Sequence, residues 1–421
     1  MEIFNSFLCG KIMPALLIFL GVFFAFKLKF FYIFHPIKSA KEMIKGQKDG
    51  FKSLCVALAG TLGVGNIVGV ASAISLGGAG SIFWMWVSAF CAMSIKYAEV
   101  YLAMIFRHEN KGRFYGGAPY YIKEGLSDKI GVKQASFLSL IFAVFCVINS
   151  LTTGNLVQVN SVSAILPVSP LFFGIIFTVL TFSVISGGLK RISNITAVLI
   201  PMLSLIYILL CSYIIFQGLN EIPTIIKTIF VDAFSVKSAS AGVTGYGIYA
   251  AIRYGVSRGV LSNEAGCGTS PAAHASSENK SAHSQSCLGI FEVFIDTILL
   301  CSLTAFVILL SSPAPEKSPM LLVVSAFEQY TGKLGGGTIA FLSISFAFAT
   351  VICQYFYGCE ALEYISNSKG SKGLFSAVFC LTILVGAIMP MNIMWQISDL
   401  AIAVMTIINL ICLFLLRNHI K

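Results

Sequence analysis

The sequence predicts an all-α integral membrane protein of about eleven transmembrane helices. One N-terminal helix precedes a five-plus-five inverted repeat, and the first helix of each repeat is discontinuous. Three observations predict this. The 421 residues are 57% hydrophobic and 11% charged, with mean hydropathy +0.87, and charge-poor stretches of spanning length recur from end to end. Lys and Arg gather on alternate loops. One glycine pattern also occurs twice, 182 residues apart, as A-G-T-L-G-V-G at 59–65 and A-G-V-T-G-Y-G at 241–247.

Spans are expected near 7–26, 51–75, 81–106, 137–160, 170–187, 195–217, 238–256, 287–311, 336–358, 373–390 and 395–416. The first reads as a retained helix rather than a signal peptide. One Lys precedes its apolar core, several follow it, and no small-x-small cleavage site is evident. Loops after odd-numbered spans hold 22 of the 28 Lys and Arg, the opposite loops hold 5, and Lys96 lies within a span. That bias places the N-terminus outside and the C-terminus in the cytoplasm, as in a bacterial cytoplasmic (inner) membrane. A missing or extra span would scramble the two counts. The net charge of +10 is therefore a topology signal, and the expected surroundings are a lipid bilayer, with no nucleic acid and no obligate protein partner. The 12 Cys are scattered without a C-x-x-C pair, so neither a disulfide framework nor a resident metal or other cofactor is expected.

The division expected is 1–50 for the extra helix and a basic loop, 51–217 for the first five-helix repeat and 238–417 for the second. Five is odd, so the two sets face the membrane in opposite senses. Between Gly60 and Gly69 the chain reads G-T-L-G-V-G-N-I-V-G. Each glycine costs about 1 kcal/mol against Ala in a helix interior. Backbone loosened at membrane depth is tolerated where it is buried or lines a cavity. Matched glycine breaks in inverted halves point to the binding site of a secondary transporter. A broken helix offers free N–H groups to a carboxylate and free C=O groups to an ammonium or a bare cation such as sodium. Nothing between Lys52 and Lys96 is charged, and 232–253 contains only Lys237 between its terminal charges. The lack of a carboxylate in either break favours sodium coupling over proton coupling.

Enzyme chemistry finds little support. His274, Glu278 and His283, with Cys267 or Cys287, are the candidates for a membrane-embedded enzyme in the 257–286 loop, but their spacing matches no zinc motif and a solvated loop is expected. No G-K-[ST] follows a glycine loop, so ATP-driven pumping is unsupported.

Four stretches resemble the alanine/glycine:cation symporter family, the sodium:alanine symporters. They are 77–93 (G-G-A-G-S-I-F-W-M-W-V-S-A-F-C-A-M) with K-Y-A-E at 96–99, 154–161 (G-N-L-V-Q-V-N-S), 252–275 (I-R-Y-G-V-S-R-G-V-L-S-N-E-A-G-C-G-T-S-P-A-A-H-A) and 292–297 (E-V-F-I-D-T). The resemblance implies a leucine-transporter-like inverted-repeat fold and sodium-driven uptake of a small neutral amino acid, alanine or glycine first. It places Gly63, Gly65 and Asn66 at the substrate carboxylate, with Thr61 a weaker candidate, and gives the amino group to the second break at Gly242 and Gly245. Gln158, and more weakly Asn155, would join the site. Sodium would meet the carbonyls of Gly60, Leu62 or Ile67 and the hydroxyls of Ser345 and Thr350.

Relatives usually carry Trp where Gln354 stands and paired hydroxyls where Ala349 and Thr350 stand. Thr350 and Gln354, four apart, share a helix face. An amide in place of an indole makes the pocket roomier and more polar, so glutamine, serine or asparagine is the alternative substrate. Lys96 and Glu99 are expected to pair. Glu292 and Asp296, which would repel if both were ionised on one face, are expected either to meet Arg253 or Arg258 in a gate or ion-pair network or to have one of the two protonated.

Overall fold

The computed structural model describes residues 8, 12–34, 36–110, 112–235, 247–311, 318–366, 368–389 and 391–421. The helices are α1 (Met13–Lys27), α2 (Pro36–Thr61), α3 (Val68–Gly77), α4 (Ser81–Ile105), α5 (Ala118–Ile130), α6 (Val132–Leu151), α7 (Val157–Ser163), α8 (Pro170–Ile185) and α9 (Gly188–Gln217). They continue as α10 (Ile222–Phe234), α11 (Ile248–Asn263), α12 (Pro271–Ala275), α13 (Ala282–Val293), α14 (Ser302–Ser311), α15 (Pro319–Ile365), α16 (Lys369–Ile388) and α17 (Met391–Leu415). One short antiparallel hairpin, β1 (His108–Asn110) with β2 (Arg113–Tyr115), follows α4. Among the described residues all other regular structure is helical.

Among the described residues seven helices are long and apolar enough to cross a membrane, counting α6–α7 and α13–α14 as one each, and the bent pair α2–α3 makes up to eight. Helices α1 and α8 are apolar but shorter. Helix α11 carries Arg253 and Arg258 and belongs to neither group. Serine N-caps start several helices. Ser169 accepts from Phe172 N–H, Ser318 from Leu321 N–H and Ser368 from Ser371 N–H, with proline at the first position after Ser169 and Ser318. Within α15, Gly332 takes φ +64° and splits off a short first segment from the long one that reaches the site.

Helices α5 and α10 lie where no span was expected. Helix α10 lies against the start of α4: the Asp232 carboxylate accepts from Gly80 N–H at 3.2 Å, and Trp84 Nε1 donates to Ala233 O at 3.1 Å. Trp86 donates to Ser302 Oγ at 2.8 Å. Both indoles therefore bind helices together.

The packing follows a pattern. Helix α3 packs on α11, α4 on α13, α6 on α15 and α8 on α16. These are the first to fourth members of the two sets of five read from the sequence. The α4–α11 contact depends on Gly255 and Gly259, a G-x-x-x-G step that lets two backbones approach closely. A Cβ on Gly255 would run into Ser81 O and lie 2.9 Å from Trp84 Cβ, and one on Gly259 would lie 2.5 Å from Ser88 Oγ. Gly255→Ala is expected to cost about 1–3 kcal/mol through overpacking. Gly373→Ala, where an added Cβ meets nothing within 4 Å, should be neutral or stabilising. Thermal midpoints of the two purified variants check this.

Candidate functional site

The chain breaks after Thr61. Helix α2 stops, Val64–Asn66 forms one 3-10 turn, and α3 leaves at 59° to α2. In an unbroken helix the Val64 N–H would reach the Gly60 carbonyl. It donates instead to Gln158 Oε1 at 3.0 Å, which releases the Gly60 carbonyl from its helical partner. Gly63 must be glycine here, because a Cβ would lie 2.7 Å from both Gln158 Oε1 and Thr350 Oγ1.

Two elements support the break from outside. The long segment of α15 presents Thr350, Cys353 and Gln354. Thr350 Oγ1 donates to Ala59 O at 2.9 Å, and Cys353 Sγ donates to Val56 O at 2.9 Å. On the other side stands α7, preceded by a π-helical turn at Thr152–Leu156. The widened turn sets Gly154 against Gln354, where a Cβ would come within 2.5 Å of Gln354 Cβ and Cγ. It also turns Asn155 away from the break. Asn155 Nδ2 donates to Phe379 O at 2.9 Å and Thr382 Oγ1 at 2.8 Å, so it binds α16.

Other sequence-selected residues also point elsewhere. The Asn66 side chain donates to Asp296 through both Oδ1 (2.8 Å) and the main-chain oxygen (3.0 Å). The Ser345 hydroxyl returns to Phe341 O of its own helix, and the Ile67 carbonyl accepts from Ala71 N–H. Thr61 Oγ1 bonds back to Leu58 O, although Thr61 still lines the cavity described below. Leu62 is buried beside the break. Gly242 and Gly245 lie outside the described residues.

The ion pairs differ from expectation. Lys96 bonds Glu292 at 3.2 Å and Ser270 Oγ at 2.7 Å, while Glu99 accepts from Gly268 N–H at 3.0 Å and Asn409 Nδ2 at 2.5 Å. Three residues along α4 carry the two side chains to different partners. Asp296 accepts from Ser262 Oγ at 2.8 Å and Thr297 Oγ1 at 2.7 Å, besides Asn66. Arg253 and Arg258 interact electrostatically with Asp399 of α17.

The loop after α11 is the largest departure. It folds inward and is buried over most of 264–277. His274 is fully buried, with Nε2 2.9 Å from Glu292 Oε2 and Nδ1 2.8 Å from Gln285 Nε2. The Gln285 amide also donates to Ser53 at 3.0 Å, so the chain Lys96–Glu292–His274–Gln285–Ser53 joins α4, α13, α12 and α2.

A cavity of about 320 Å³ opens against the break, lined among others by Gly60, Thr61, Gly65, Gln158, Arg258 and Glu264. Glu264 was not selected from the sequence. Its carboxylate accepts from Thr269 Oγ1 at 2.6 Å and Gln354 Nε2 at 2.8 Å. The first break itself carries no charged side chain, but an acidic residue joins the cavity lining from the far end of α11. The one available signal was a lone acidic residue inside the S-N-E-A-G run at 262–266.

A membrane-depth helix break that frees backbone groups toward a cavity, braced by two other helices, defines a secondary transporter. The chain belongs to the sodium:alanine symporter family, whose family model matches residues 1–421. It is a sodium-coupled amino-acid symporter and not an enzyme. Among curated relatives, the sodium/alanine symporter AgcS of Methanococcus maripaludis is 34% identical, the match covering 98% of this chain and 93% of AgcS. The probable sodium/glutamine symporter GlnT of Bacillus subtilis is 31% identical, over 98% of this chain and 87% of GlnT. A solved structure of a Na+-coupled sialic acid symporter in a substrate-bound outward-open state shares the fold at TM-score 0.50 and 13% identity, over 94% of this chain and 81% of that one.

The buried Lys96–Glu292 pair allows a sharp test. Lys96→Met leaves a fully buried carboxylate with His274 as its one remaining ion-pair partner among the described residues, which is expected to cost about 3–5 kcal/mol. Adding Glu292→Leu should recover most of that loss. Thermal unfolding of the single and double variants measures it.

Proposed function

We propose that this protein takes up a small neutral amino acid together with sodium, alanine and glycine first, at the cavity beside the broken α2–α3 helix. The observation that carries this reading is the redirected Val64 N–H. It supports the reading because Gln158 and the 3-10 turn bring polar groups together beside the cavity, as binding a zwitterion requires. With the Val64 N–H taken by Gln158, the Gly65 amide at the head of the turn, a residue that lines the cavity, is the backbone donor that suits the substrate carboxylate. For sodium, the freed Gly60 carbonyl lies beside Thr350, whose hydroxyl already meets the adjacent Ala59 carbonyl. Neutral oxygens of this kind suit a monovalent ion. The pairwise packing of corresponding helices supports the division into repeats at 51–217 and 238–417, with 1–50 outside both. The charge bias supports a cytoplasmic-membrane protein with its N-terminus outside.

A second reading has glutamine, serine or asparagine as substrate. Gln354 favours it, because an amide rather than a large ring stands beside the site, and the relative GlnT is named for glutamine. Uptake into sodium-gradient proteoliposomes, with unlabelled L- and D-amino acids as competitors, separates the readings. Competition by alanine and glycine alone supports the first, and competition by glutamine, serine or asparagine supports the second. No inhibition by any neutral amino acid overturns both. Under the second reading Gln354→Trp should abolish the polar competition and leave alanine uptake intact.

A further inference from the structure

Glu264 combines three costs that a structural residue has no reason to bear. It stands at the C-terminal end of α11, where the helix dipole disfavours a negative charge. Its backbone is left-handed, φ +49° and ψ +21°, at a position where glycine would be strain-free. The residue is buried, only 8% exposed, yet it belongs to the lining of the cavity.

Its surroundings do not neutralise it by contact. The two side-chain donors, the Thr269 hydroxyl and the Gln354 amide, are both uncharged. Lys96 acts on it through space, but that ammonium bonds Glu292 and Ser270. Among the described residues no Lys, Arg or His forms an ion pair with Glu264. Next to it, Gln354 is 1% exposed and its Oε1 accepts no hydrogen bond. Glu264, in the cavity lining, thus supplies an acidic acceptor with capacity to spare, and its hydrogen-bond partner Gln354 a neutral one. A carboxylate held by neutral donors at a cavity wall is complementary to a cationic hydrogen-bond donor.

We propose that Glu264 is the counter-ion for the α-ammonium group of the transported amino acid, a role that rests on the zwitterion-binding reading above. The 3-10 turn at Val64–Asn66 and Gln158 then hold the carboxylate end, and Glu264 with its Gln354 support holds the ammonium end. Neither function of the zwitterion requires the coupling ion at Glu264.

The test uses the full-length purified protein and two half-ligands of alanine: alaninol, which keeps the ammonium, and propionate, which keeps the carboxylate. Glu264→Gln preserves the size of the side chain and its ability to accept from Thr269. It should weaken alaninol and alanine binding roughly 10- to 100-fold, the loss of one charge-assisted hydrogen bond, and leave propionate unweakened. Glu264→Asp should restore part of the alaninol affinity, which a merely structural defect would not do. In proteoliposomes the KM for alanine should rise by the same factor while the sodium concentration for half-maximal uptake stays put. Unchanged alaninol binding in Glu264→Gln overturns the proposal. So does a rise confined to the sodium requirement, which would make the carboxylate an ion ligand. If the wild type takes up no neutral amino acid, the functional reading fails by itself, and the alaninol comparison still decides whether Glu264 receives an ammonium group.

Discussion

A helix cannot be interrupted at membrane depth unless something other than water satisfies the freed backbone. In this protein the interruption at Leu62–Gly63 is supported from both sides: Gln158 takes the Val64 N–H, and Thr350 and Cys353 take the Ala59 and Val56 carbonyls. Those contacts specify where α7 and α15 must stand. The π-helical turn before α7 and the glycine at 154 follow from bringing these helices close enough to serve. The cavity is what remains between them, and its polar wall is the backbone that the break exposes.

Charge is handled by a separate construction. Lys96, Glu99, Glu292 and Asp296 are each fully buried, yet none lines the cavity. Lys96, Glu99 and Glu292 hold the inward-folded loop at 264–277 against α4 and α13 through directed bonds to Ser270, Gly268 and His274, while Asp296 ties Asn66 of the break to Ser262 of α11. Buried ion pairs contribute little net stability once desolvation is counted, but they tolerate few alternative arrangements. This network thus fixes the position of the loop, and the loop in turn fixes Glu264 and Thr269. A transporter site with few charges in it is positioned by a neighbourhood that is rich in them.

Much of this was legible along the chain. The glycine run at 60–69 located the break because Gly costs are local and period-independent. The recurrence of A-G-x-x-G-x-G and the alternating Lys/Arg counts are the sequence grounds for proposing two sets of helices. Thr350 and Gln354 were correctly read as sharing a face, since four residues return to the same side of any α-helix. Less legible were partners. Asn66 and Asn155 looked like site amides, yet each satisfies a neighbouring helix, at Asp296 and at Phe379 with Thr382. A buried amide must bond something, and sequence does not say which of several helices reaches it first.

Composition, periodicity and glycine placement are properties of neighbours in sequence, so the sequence by itself determined that this chain is helical, membrane-spanning and broken at Gly60–Gly69. Only the tertiary structure decided that most of the stretch 264–277 is buried, that His274 supports Glu292, and that Glu264 lines the cavity from 200 residues beyond Val64. The physical reason is that a carboxylate's role depends on which donors and cations surround it in space. Here those come from Thr269 and Gln354, which no spacing rule connects.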